Sequence, residues 1–501
     1  MEKIYRIDPR GETPFRNIAT FCVGTGRIGL ALTEEYLKQL ALVQKEIGFS
    51  YIRGHGLFSD DMAIYQEYED ASGEIRAEYN FTYLDRVMDS YKRLGIRPFL
   101  ELGFMPRKMA SGSQTIFYWN GNTTPPKTYG DWTSLVKATL SHLIAHYGAA
   151  EVRLWPVEVW NEPNLPGFWK DADMEEYFRL FKETFLAVKS VDGAIQVGGP
   201  AICGVDDARW ILRFLDFCRG EGLRPDFITR HHYTSETPER EEHYAYVRLE
   251  KRETSMNSVQ RTREIVDADP DFRGMPIHIT EFNTSYCPNA PIHDTVYNAA
   301  YTAHILSRMG DINESCSYWT FGDVFEEVGV PFTPFHGGFG LVADGCVPKP
   351  TFWTFRFFRD ILGGTCVLRD EDCVAVRMPS GEIRGVAWNA VGEEGMKLRF
   401  RLPAETGSEF CVLTNTVDEA HGNPLKIWHD LGEHANPSDE ETEILRNAAR
   451  PYAETRRAGE TNGEIEWELN LGFGAVCEFF VKPTNAAPDR GYDYNRVTRQ
   501  R

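Results

Sequence analysis

The chain has 501 residues, more than one ordinary hydrophobic core accommodates, so two or three domains are expected. Its formal net charge of −20 disfavours binding to nucleic acid or another polyanion. The opening MEKIYRIDPRGE lacks the apolar stretch of a signal peptide, and no apolar run approaches the length of a membrane span. The ten cysteines are scattered without CxxC pairs, which is typical of reduced thiols, so we expect a cytoplasmic protein with no membrane partner.

The first two thirds of the chain alternate short apolar segments with longer helical patterns. In the first helical pattern, at 33–48, Tyr36, Leu40 and Val43 fall on one face, and Gly48 is placed to end the helix. Eight such units predict a (β/α)₈ barrel over 14–360. A doubly wound open sheet is the alternative, but no strand is followed by a GxGxxG phosphate loop. The eight predicted strands are 20–24, 49–55, 97–104, 156–163, 195–201, 227–233, 276–283 and 316–323.

After residue 360 the pattern changes to alternation with a period of two, as in CVAVRMPSGEIRGVAWNAV and EIEWELNLGFGAVCEFFVKP. This period predicts a β-sandwich over 361–482. The N-terminal segment 1–13 contains KIYRID, which we expect to add a strand to that sandwich. The polar, irregular stretch 483–501 is predicted to be a C-terminal tail, and the sequence leaves open whether it is ordered.

Two glutamates lie at the ends of predicted barrel strands. Glu162 ends the fourth strand, in VEVWNEP, and Glu281 ends the seventh, in ITEFN. The carboxyl ends of barrel strands surround the active site, and strands 4 and 7 lie on opposite sides of the mouth. Two facing carboxyls suit glycoside hydrolysis, with Glu162 as acid/base and Glu281 as nucleophile. The negative charge of Glu281 is expected to raise the pKa of Glu162, and a separation of about 5–5.5 Å would indicate retention of configuration.

Longer stretches of the chain resemble glycoside hydrolase family 39, close to its β-xylosidases. They include FCVGTGRIGLAL at 21–32, YIRGHGLFSDDMAIY at 51–65, ELGFMPRKMASGSQT at 101–115, GNTTPPKTYGDW at 121–132 and YWTFGDVFEEVGVPFTPFHGGFGL at 318–341. The resemblance covers the barrel almost completely and extends more loosely into the sandwich. It implies a barrel, a β-sandwich and a short tail, and it assigns Glu162 and Glu281 the two roles argued above.

The resemblance also implies the residues that bind the sugar. Asn161 is expected to hydrogen-bond the 2-hydroxyl, and Arg53 to lie near Glu281 and keep it ionised. In RHHY at 230–233, His231 and Tyr233 take the family's positions, while a shift of one residue would exchange His231 with His232. The remaining expected substrate contacts are His55, Trp319 as an apolar floor, Glu326 and Glu327 to the outer hydroxyls, and Phe117 and Phe168 as lining aromatics.

The resemblance implies one preferred function, an exo-acting retaining β-D-xylosidase that acts on short xylo-oligosaccharides. Other family 39 specificities are the alternatives: α-L-iduronidase, arabinosidase or β-glucosidase. The acidic Glu326 and Glu327 disfavour the anionic sugar of an iduronidase. A non-catalytic sugar-binding protein is the remote alternative, which the presence of both glutamates disfavours. We expect no metal and no cofactor, because the sequence contains no HExxH motif and RHHY alone is a weak metal signal. The resemblance implies a homo-oligomer, a tetramer in many members of the family.

Overall fold

A computed structural model describes residues 2–324, 326–391, 395–484 and 491–498. Its centre is a closed barrel of eight parallel strands, so the barrel predicted from the sequence is confirmed. We number these strands 1 to 8 in chain order. They are Cys22–Arg27, Tyr51–His55, Arg97–Leu102, Val157–Val159, Val197–Ile202, Phe227–Tyr233, Ile277–Asn283 and Ser315–Tyr318.

Eight long helices follow the strands and surround the barrel. Three of them begin with a side-chain cap: Thr128, Asp173 and Thr295 accept hydrogen bonds from backbone N–H groups of the first turns. Their apolar faces pack on the barrel, as Tyr36, Leu40 and Val43 do in the first helix. They are Glu34–Glu46, Thr82–Arg93, Tyr129–Tyr147, Met174–Val191, Asp207–Gly220, Asn257–Ala268, Val296–Met309 and Pro350–Asp360.

The loops at the carboxyl ends of the strands carry most of the additional structure. Short antiparallel pairs follow strands 2, 3, 6 and 8, and they lie at the face where barrel enzymes place their active sites. These pairs are Tyr65–Glu69 with Ile75–Tyr79, Thr115–Ile116 with Gly121–Asn122, Glu239–Glu241 with Tyr244–Tyr246, and Val342–Ala343 with Val347–Pro348. Short helical turns are Ile28–Leu32, Asp60–Met62, Ala149–Val152, Lys170–Ala172, Pro291–Asp294 and Asp344–Cys346.

Two sheets form the β-sandwich, and a second hydrophobic core lies between them. The N-terminal strand Glu2–Arg6 pairs in parallel with Met396–Pro403, so it belongs to the smaller sheet. The smaller sheet is completed by Glu464–Leu471. In spatial order, the larger sheet consists of Thr365–Arg369, Cys373–Arg377, Ile383–Trp388, Val476–Pro483, Glu409–Val417 and Tyr452–Gly459.

Two helices within the sandwich region, Pro424–Asp430 and Asp439–Ala448, had no counterpart in the sequence-based prediction. Trp428 and Leu445 on these helices pack against Phe335, in the long loop after strand 8. A capping box between Ser438 and Glu441 begins the second helix, and the S-x-x-E pattern was the signal available for it.

The predicted boundaries between segments, at 13/14, 360/361 and 482/483, stay predictions. The last barrel helix ends at Asp360, and the first sandwich strand begins at Thr365. Parts of the predicted tail, at 485–490 and 499–501, lie outside the described residues, and a short helix covers Tyr494–Thr498. Over the part of the chain that is described, no helix has both the length and the apolar character needed to cross a membrane.

Candidate active site

The two glutamates predicted from the sequence lie at the carboxyl end of the barrel, on opposite strands. Glu281 is the fifth residue of strand 7, whereas strand 4 ends at Val159 and Glu162 follows in the loop. The backbone there turns sharply, with Trp160 at φ 72° and Glu162 at φ 46°. Such left-handed conformations are unfavourable for bulky residues and persist where the surroundings impose them. A hydrogen bond from the Glu162 N–H to the Ala201 carbonyl, at 2.9 Å, holds this turn against strand 5.

His231 bridges the two carboxyl groups. Its Nδ1 lies 2.8 Å from Glu162 Oε1 and 3.3 Å from Glu281 Oε2. One oxygen of each glutamate and this nitrogen all lie within 4.8 Å of one another. The separation agrees with the close spacing of carboxyls in retaining glycosidases, rather than the 6.5–9.5 Å or so of inverting ones.

Arg53, on strand 2, organises the floor of the site. The guanidinium donates to Glu281 Oε1 at 2.6 Å, to Asn161 Oδ1 at 2.8 Å and to Glu158 Oε2 at 2.6 Å. Its Nη2 also lies 2.9 Å from Glu101 Oε2. Arg53 is completely buried, so these side chains rather than water surround its charge and accept its N–H groups.

The two catalytic candidates have different electrostatic surroundings. Burial raises the pKa of Glu162 well above its usual range, and the charge of Glu281 raises it further. Burial also raises the pKa of Glu281, but Arg53 and a 2.7 Å hydrogen bond from the Tyr233 hydroxyl oppose that effect. The negative charge of Glu281 is therefore better stabilised than that of Glu162. Glu162 is the carboxyl group that more readily keeps its proton. The predicted increase for Glu162 has burial as its largest cause and repulsion by Glu281 as the second.

The amide of Asn161 is oriented by Arg53. Its Oδ1 accepts from the guanidinium, so its Nδ2 carries the two N–H groups that remain. That nitrogen is buried and has no hydrogen-bond partner within the described residues. A buried donor without a partner is rare in proteins, and here it lies one residue from Glu162. This geometry suits a group that donates to a bound ligand.

Aromatic rings close one side of the site. The His55 ring lies 4.6 Å from the Trp319 ring and 5.7 Å from the Phe117 ring, and Phe117 meets Phe168 edge to face. Trp319 directly follows strand 8, and its ring approaches Gly24 so closely that a Cβ at that position would lie 2.5 Å from it. Burial lowers the pKa of His55 to about 3, so its imidazole is neutral.

The two glutamates of the loop after strand 8 have different partners. Glu327 Oε1 accepts a 3.3 Å hydrogen bond from Trp319 Nε1, and burial together with the charge of Glu281 raises the pKa of Glu327 to about 8. Glu326 instead pairs with Arg27, whose Nη2 lies 2.6 Å from Glu326 Oε2. The structure therefore directs Glu327 toward the catalytic carboxyls and Glu326 toward strand 1.

Strand 6 sends its two adjacent histidines to opposite sides. His231 faces Glu162 and Glu281, whereas His232 Nδ1 lies 3.5 Å from Ser258 Oγ on the helical side of the barrel. An irregularity in the pairing of strands 6 and 7 between Arg230 and His231 sets this register. Of the residues named from the sequence, the structure brings nine together with Glu162 and Glu281, while Glu326 is engaged by Arg27.

A comparison with protein families finds that residues 3–466 match the model of glycosyl hydrolases family 39. The chain belongs to glycoside hydrolase family 39. It is 48% identical over 481 residues to a β-xylosidase of Geobacillus stearothermophilus, a match that covers 95% of this chain and 94% of that one. It is 35% identical to a β-xylosidase of Caldicellulosiruptor saccharolyticus, over 92% of this chain and 94% of the other.

Solved structures agree with this family assignment. The crystal structure of a monomeric β-xylosidase from Caulobacter crescentus superposes with a TM-score of 0.87 at 30% identity. The match covers 96% of this chain and all of that one, so the similarity extends through the barrel and the sandwich. The resemblance stated from the sequence is confirmed.

Two glutamates beneath the site of this family 39 chain were missed in the sequence. Glu101 on strand 3 lies 2.6 Å from His55 Nδ1, and Glu158 on strand 4 accepts from Arg53 and from Thr280 Oγ1. Burial raises the pKa of Glu101 to about 8. The available signal was a charged residue inside an otherwise apolar strand, in FLELGF and in PVEVW. Two such carboxylates indicate a buried cation opposite them, and Arg53 is that cation.

Glu162, His231 and Glu281 are also residue types that bind divalent cations. A cation between them would occupy the space through which Glu281 must reach a sugar carbon. Metal binding and glycoside hydrolysis would therefore compete in this family 39 site. The expectation that no metal or cofactor takes part at this site stays a prediction.

Proposed function

We propose that this chain is an exo-acting retaining β-D-xylosidase that releases xylose from the non-reducing end of xylo-oligosaccharides. The observation that carries the mechanism is the pair Glu162 and Glu281, with oxygens within 4.8 Å of each other and unequal stabilisation of their charges. The choice of sugar is supported by two relatives described as β-xylosidases that align over more than nine tenths of the chain.

In the first step, the Glu281 carboxylate attacks the anomeric carbon and the glycosidic C–O bond breaks. Glu162 gives its proton to the departing oxygen, and a glycosyl ester of Glu281 remains. Formation of that ester removes the negative charge of Glu281, so the pKa of Glu162 falls. Arg53 and Tyr233, which hydrogen-bond the free carboxylate, stabilise it before attack and again when it is released.

In the second step, Glu162 accepts a proton from water while the water oxygen attacks the anomeric carbon. The ester bond to Glu281 breaks, and both glutamates return to their starting protonation states. Two inversions at one carbon give a product with the original β configuration.

We assign sugar recognition to the groups that surround the pair. Asn161 donates to the 2-hydroxyl through its unpartnered Nδ2, a contact that strengthens in the transition state. Glu327 accepts from an outer hydroxyl, and Trp319 lies under the apolar face of the ring. His55, His231, Phe117, Phe168 and Glu326 complete the proposed substrate contacts, with Glu326 acting from its pair with Arg27.

An α-L-iduronidase specificity is the second candidate, because human α-L-iduronidase is 29% identical over 164 residues, 30% of this chain. Its substrate carries a carboxylate that needs a cation. Glu327 at the site disfavours that charge, and Arg27 is already paired with Glu326 and Asp61. The short match to the iduronidase and the acidic residues Glu326 and Glu327 both favour xylose, which carries no charge.

The test is hydrolysis of aryl β-D-xyloside, β-D-glucoside, α-L-arabinoside and α-L-iduronide by the purified chain, with Glu281→Ala as the background control. We expect the xyloside to be cleaved fastest and proton NMR to show β-xylose as the first anomer formed. Xylotriose should yield xylose from its first turnovers. Folded protein that ignores the xyloside, or that releases α-xylose first, would overturn the proposal.

We also propose a cytoplasmic location, which is supported by ten free cysteines, eight of them buried. Imported oligosaccharides rather than insoluble xylan would then be the substrate. The resemblance implies a tetramer, whereas the similar Caulobacter crescentus enzyme is described as monomeric. We propose a homo-oligomer, and multi-angle light scattering that finds a monomer at micromolar concentration would refute it.

A further inference from the structure

Two neighbouring helices on the outside of the barrel present matching pairs of metal-binding side chains. Helix Thr82–Arg93 carries Asp85 and Asp89, and helix Tyr129–Tyr147 carries His142 and His146. Residues four apart lie on the same face of a helix, one turn above each other. Each helix therefore offers two ligands along one line, and the two lines face each other.

The carboxylate of Asp85 lies between the two imidazoles. Its Oδ1 is 2.6 Å from His142 Nε2, and its Oδ2 is 3.8 Å from His146 Nδ1. One ligand atom from each of these three residues lies within 4.8 Å of the other two. Around a tetrahedral ion with bonds of about 2.0–2.1 Å, ligand atoms are roughly 3.4 Å apart. The contact of Asp85 with His142 is shorter than this spacing and its contact with His146 is longer, so binding requires the side chains to shift.

Asp89 lies beside the other ring nitrogen of His146, outside the group of three. Its Oδ1 lies 4.0 Å from His146 Nε2 and accepts a 3.0 Å hydrogen bond from the Tyr147 hydroxyl. The His142 ring stacks on Phe81, with centroids 4.2 Å apart and planes at 15°. Contacts of this kind orient metal ligands before an ion arrives.

The group is open to solvent but not fully exposed. The side chains of Asp85 and His142 are about one quarter exposed, at 25% and 26%, and that of His146 is 40% exposed. An ion can therefore enter, while the two helices limit the motion of the ligands. Lys92 Nζ lies 5.7 Å from the centre of the Tyr147 ring.

We propose that His142, His146 and Asp85 form a binding site for a borderline divalent cation, with Zn²⁺ as the best match and water as the fourth ligand. Two imidazoles with one carboxylate favour Zn²⁺ over the all-oxygen sites of Mg²⁺ and Ca²⁺. The ion would join the helices before and after strand 3. The bound ion would stabilise the fold and take no part in catalysis, because its ligands lie on the outer helices whereas the catalytic carboxyls lie at the mouth of the barrel.

Zinc titration of the full chain, after removal of metals by a chelator, tests the site. We expect His146→Gln to weaken Zn²⁺ binding by roughly tenfold or more, since even loss of an outer contact costs that much. His146 makes only contacts of 3.8 Å and longer to the aspartates, and Gln is a good helix former, so the variant should fold. Asp85→Asn, checked by circular dichroism, is the second variant.

A matched control is His429→Gln, on the helix Pro424–Asp430. It removes an imidazole whose Nδ1 lies 2.6 Å from Glu433 Oε1. Zn²⁺ should raise the Tm of wild type and His429→Gln, and raise it less in His146→Gln. Zinc bound at Glu162, His231 and Glu281 would inhibit all three proteins equally, so calorimetric stoichiometry and Tm separate the two sites. Equal uptake and equal Tm shifts in wild type and His146→Gln, or no zinc binding by wild type, would overturn the proposal.

Discussion

The barrel mouth and the sandwich core are both buried, but they are built from opposite kinds of side chain. At the mouth, Arg53 contacts Glu101, Glu158 and Glu281 without access to water. In the sandwich, Phe400 lies flat on Trp467, with ring centroids 5.1 Å apart and planes at 9°. Phe479 from the opposite sheet approaches Phe400 to 5.0 Å.

This difference in side chains indicates that the mouth serves catalysis and the sandwich serves stability. Buried charges at the mouth carry a desolvation cost that their partners only partly offset, and they leave Asn161 Nδ2 without a partner. Burial of the Phe400 and Phe479 rings in the sandwich is favourable, because neither ring carries a polar atom. We infer that the mouth is arranged for a ligand, and that the sandwich contributes stability without touching the substrate. Four variants test that inference.

The largest expected effect is on catalysis at the mouth. Glu281→Ala should lower kcat for an aryl β-xyloside by more than about 10⁴-fold, because it removes the nucleophile. Its Tm should change little or rise, since a buried carboxylate is lost. Added azide should restore turnover by attacking the anomeric carbon in place of Glu281. A variant that kept a hundredth of wild-type kcat would contradict the assignment of Glu281.

The sandwich variant should show the reverse behaviour. Phe400→Ala should lower the free energy of unfolding by about 3–5 kcal/mol, because it opens a cavity between Trp467 and Phe479. The kcat of the protein that remains folded should equal that of wild type. Urea unfolding followed by tryptophan fluorescence, with kcat measured at a temperature where the variant is folded, checks both parts. Loss of kcat in folded protein would show that the sandwich does act on the site.

A smaller effect is expected when one hydrogen bond to the nucleophile is removed. Tyr233→Phe deletes the 2.7 Å donor to Glu281 Oε2 and keeps the ring. Hydrogen bonds to charged groups contribute about 1.5–3 kcal/mol, so kcat/KM should fall about 10–100-fold. Because this bond lowers the pKa of Glu281, the acidic limb of the pH–rate profile should move to higher pH. An unchanged limb with reduced kcat would indicate a purely steric role.

The smallest effect is a change in how stability depends on pH. The pKa of Glu101 is about 8 in the folded chain and near 4.3 when unfolded, so folded protein holds a proton that unfolded protein releases between these values. The extra proton bound by Glu101 stabilises the folded chain relative to the unfolded one. This contribution to the unfolding free energy is fully present below about pH 4.3 and is lost as pH rises through about 8.

Glu101→Gln should therefore reduce the fall in unfolding free energy between pH 6.5 and 8, by up to about 1.4 kcal/mol per pH unit. His55 is neutral in that window because its pKa is about 3 in the folded chain. Phe400→Leu serves as the matched control, which should change stability but not its pH slope. Identical slopes in wild type and Glu101→Gln would show that Glu101 is ionised in the folded chain.

Local sequence was sufficient to predict the barrel and its two glutamates. Strand and helix periods depend on neighbouring residues, and the strand count places Glu162 and Glu281 at one end of the barrel, because all parallel strands point the same way. Arg53 could likewise be placed on strand 2. Long-range contacts were needed for the rest.

The partners of Arg53, the choice between His231 and His232, and the pairing of Glu326 with Arg27 depend on register between strands and on the paths of loops. So does the meeting of His142 and His146 with Asp85, whose helices are separated by strand 3. No local pattern encodes such distances, because they arise only when elements far apart in sequence pack into one dry interior or onto one face. The sequence determined which chemical groups are present at the mouth, and the tertiary structure decided which of them are paired and which remain free for a ligand.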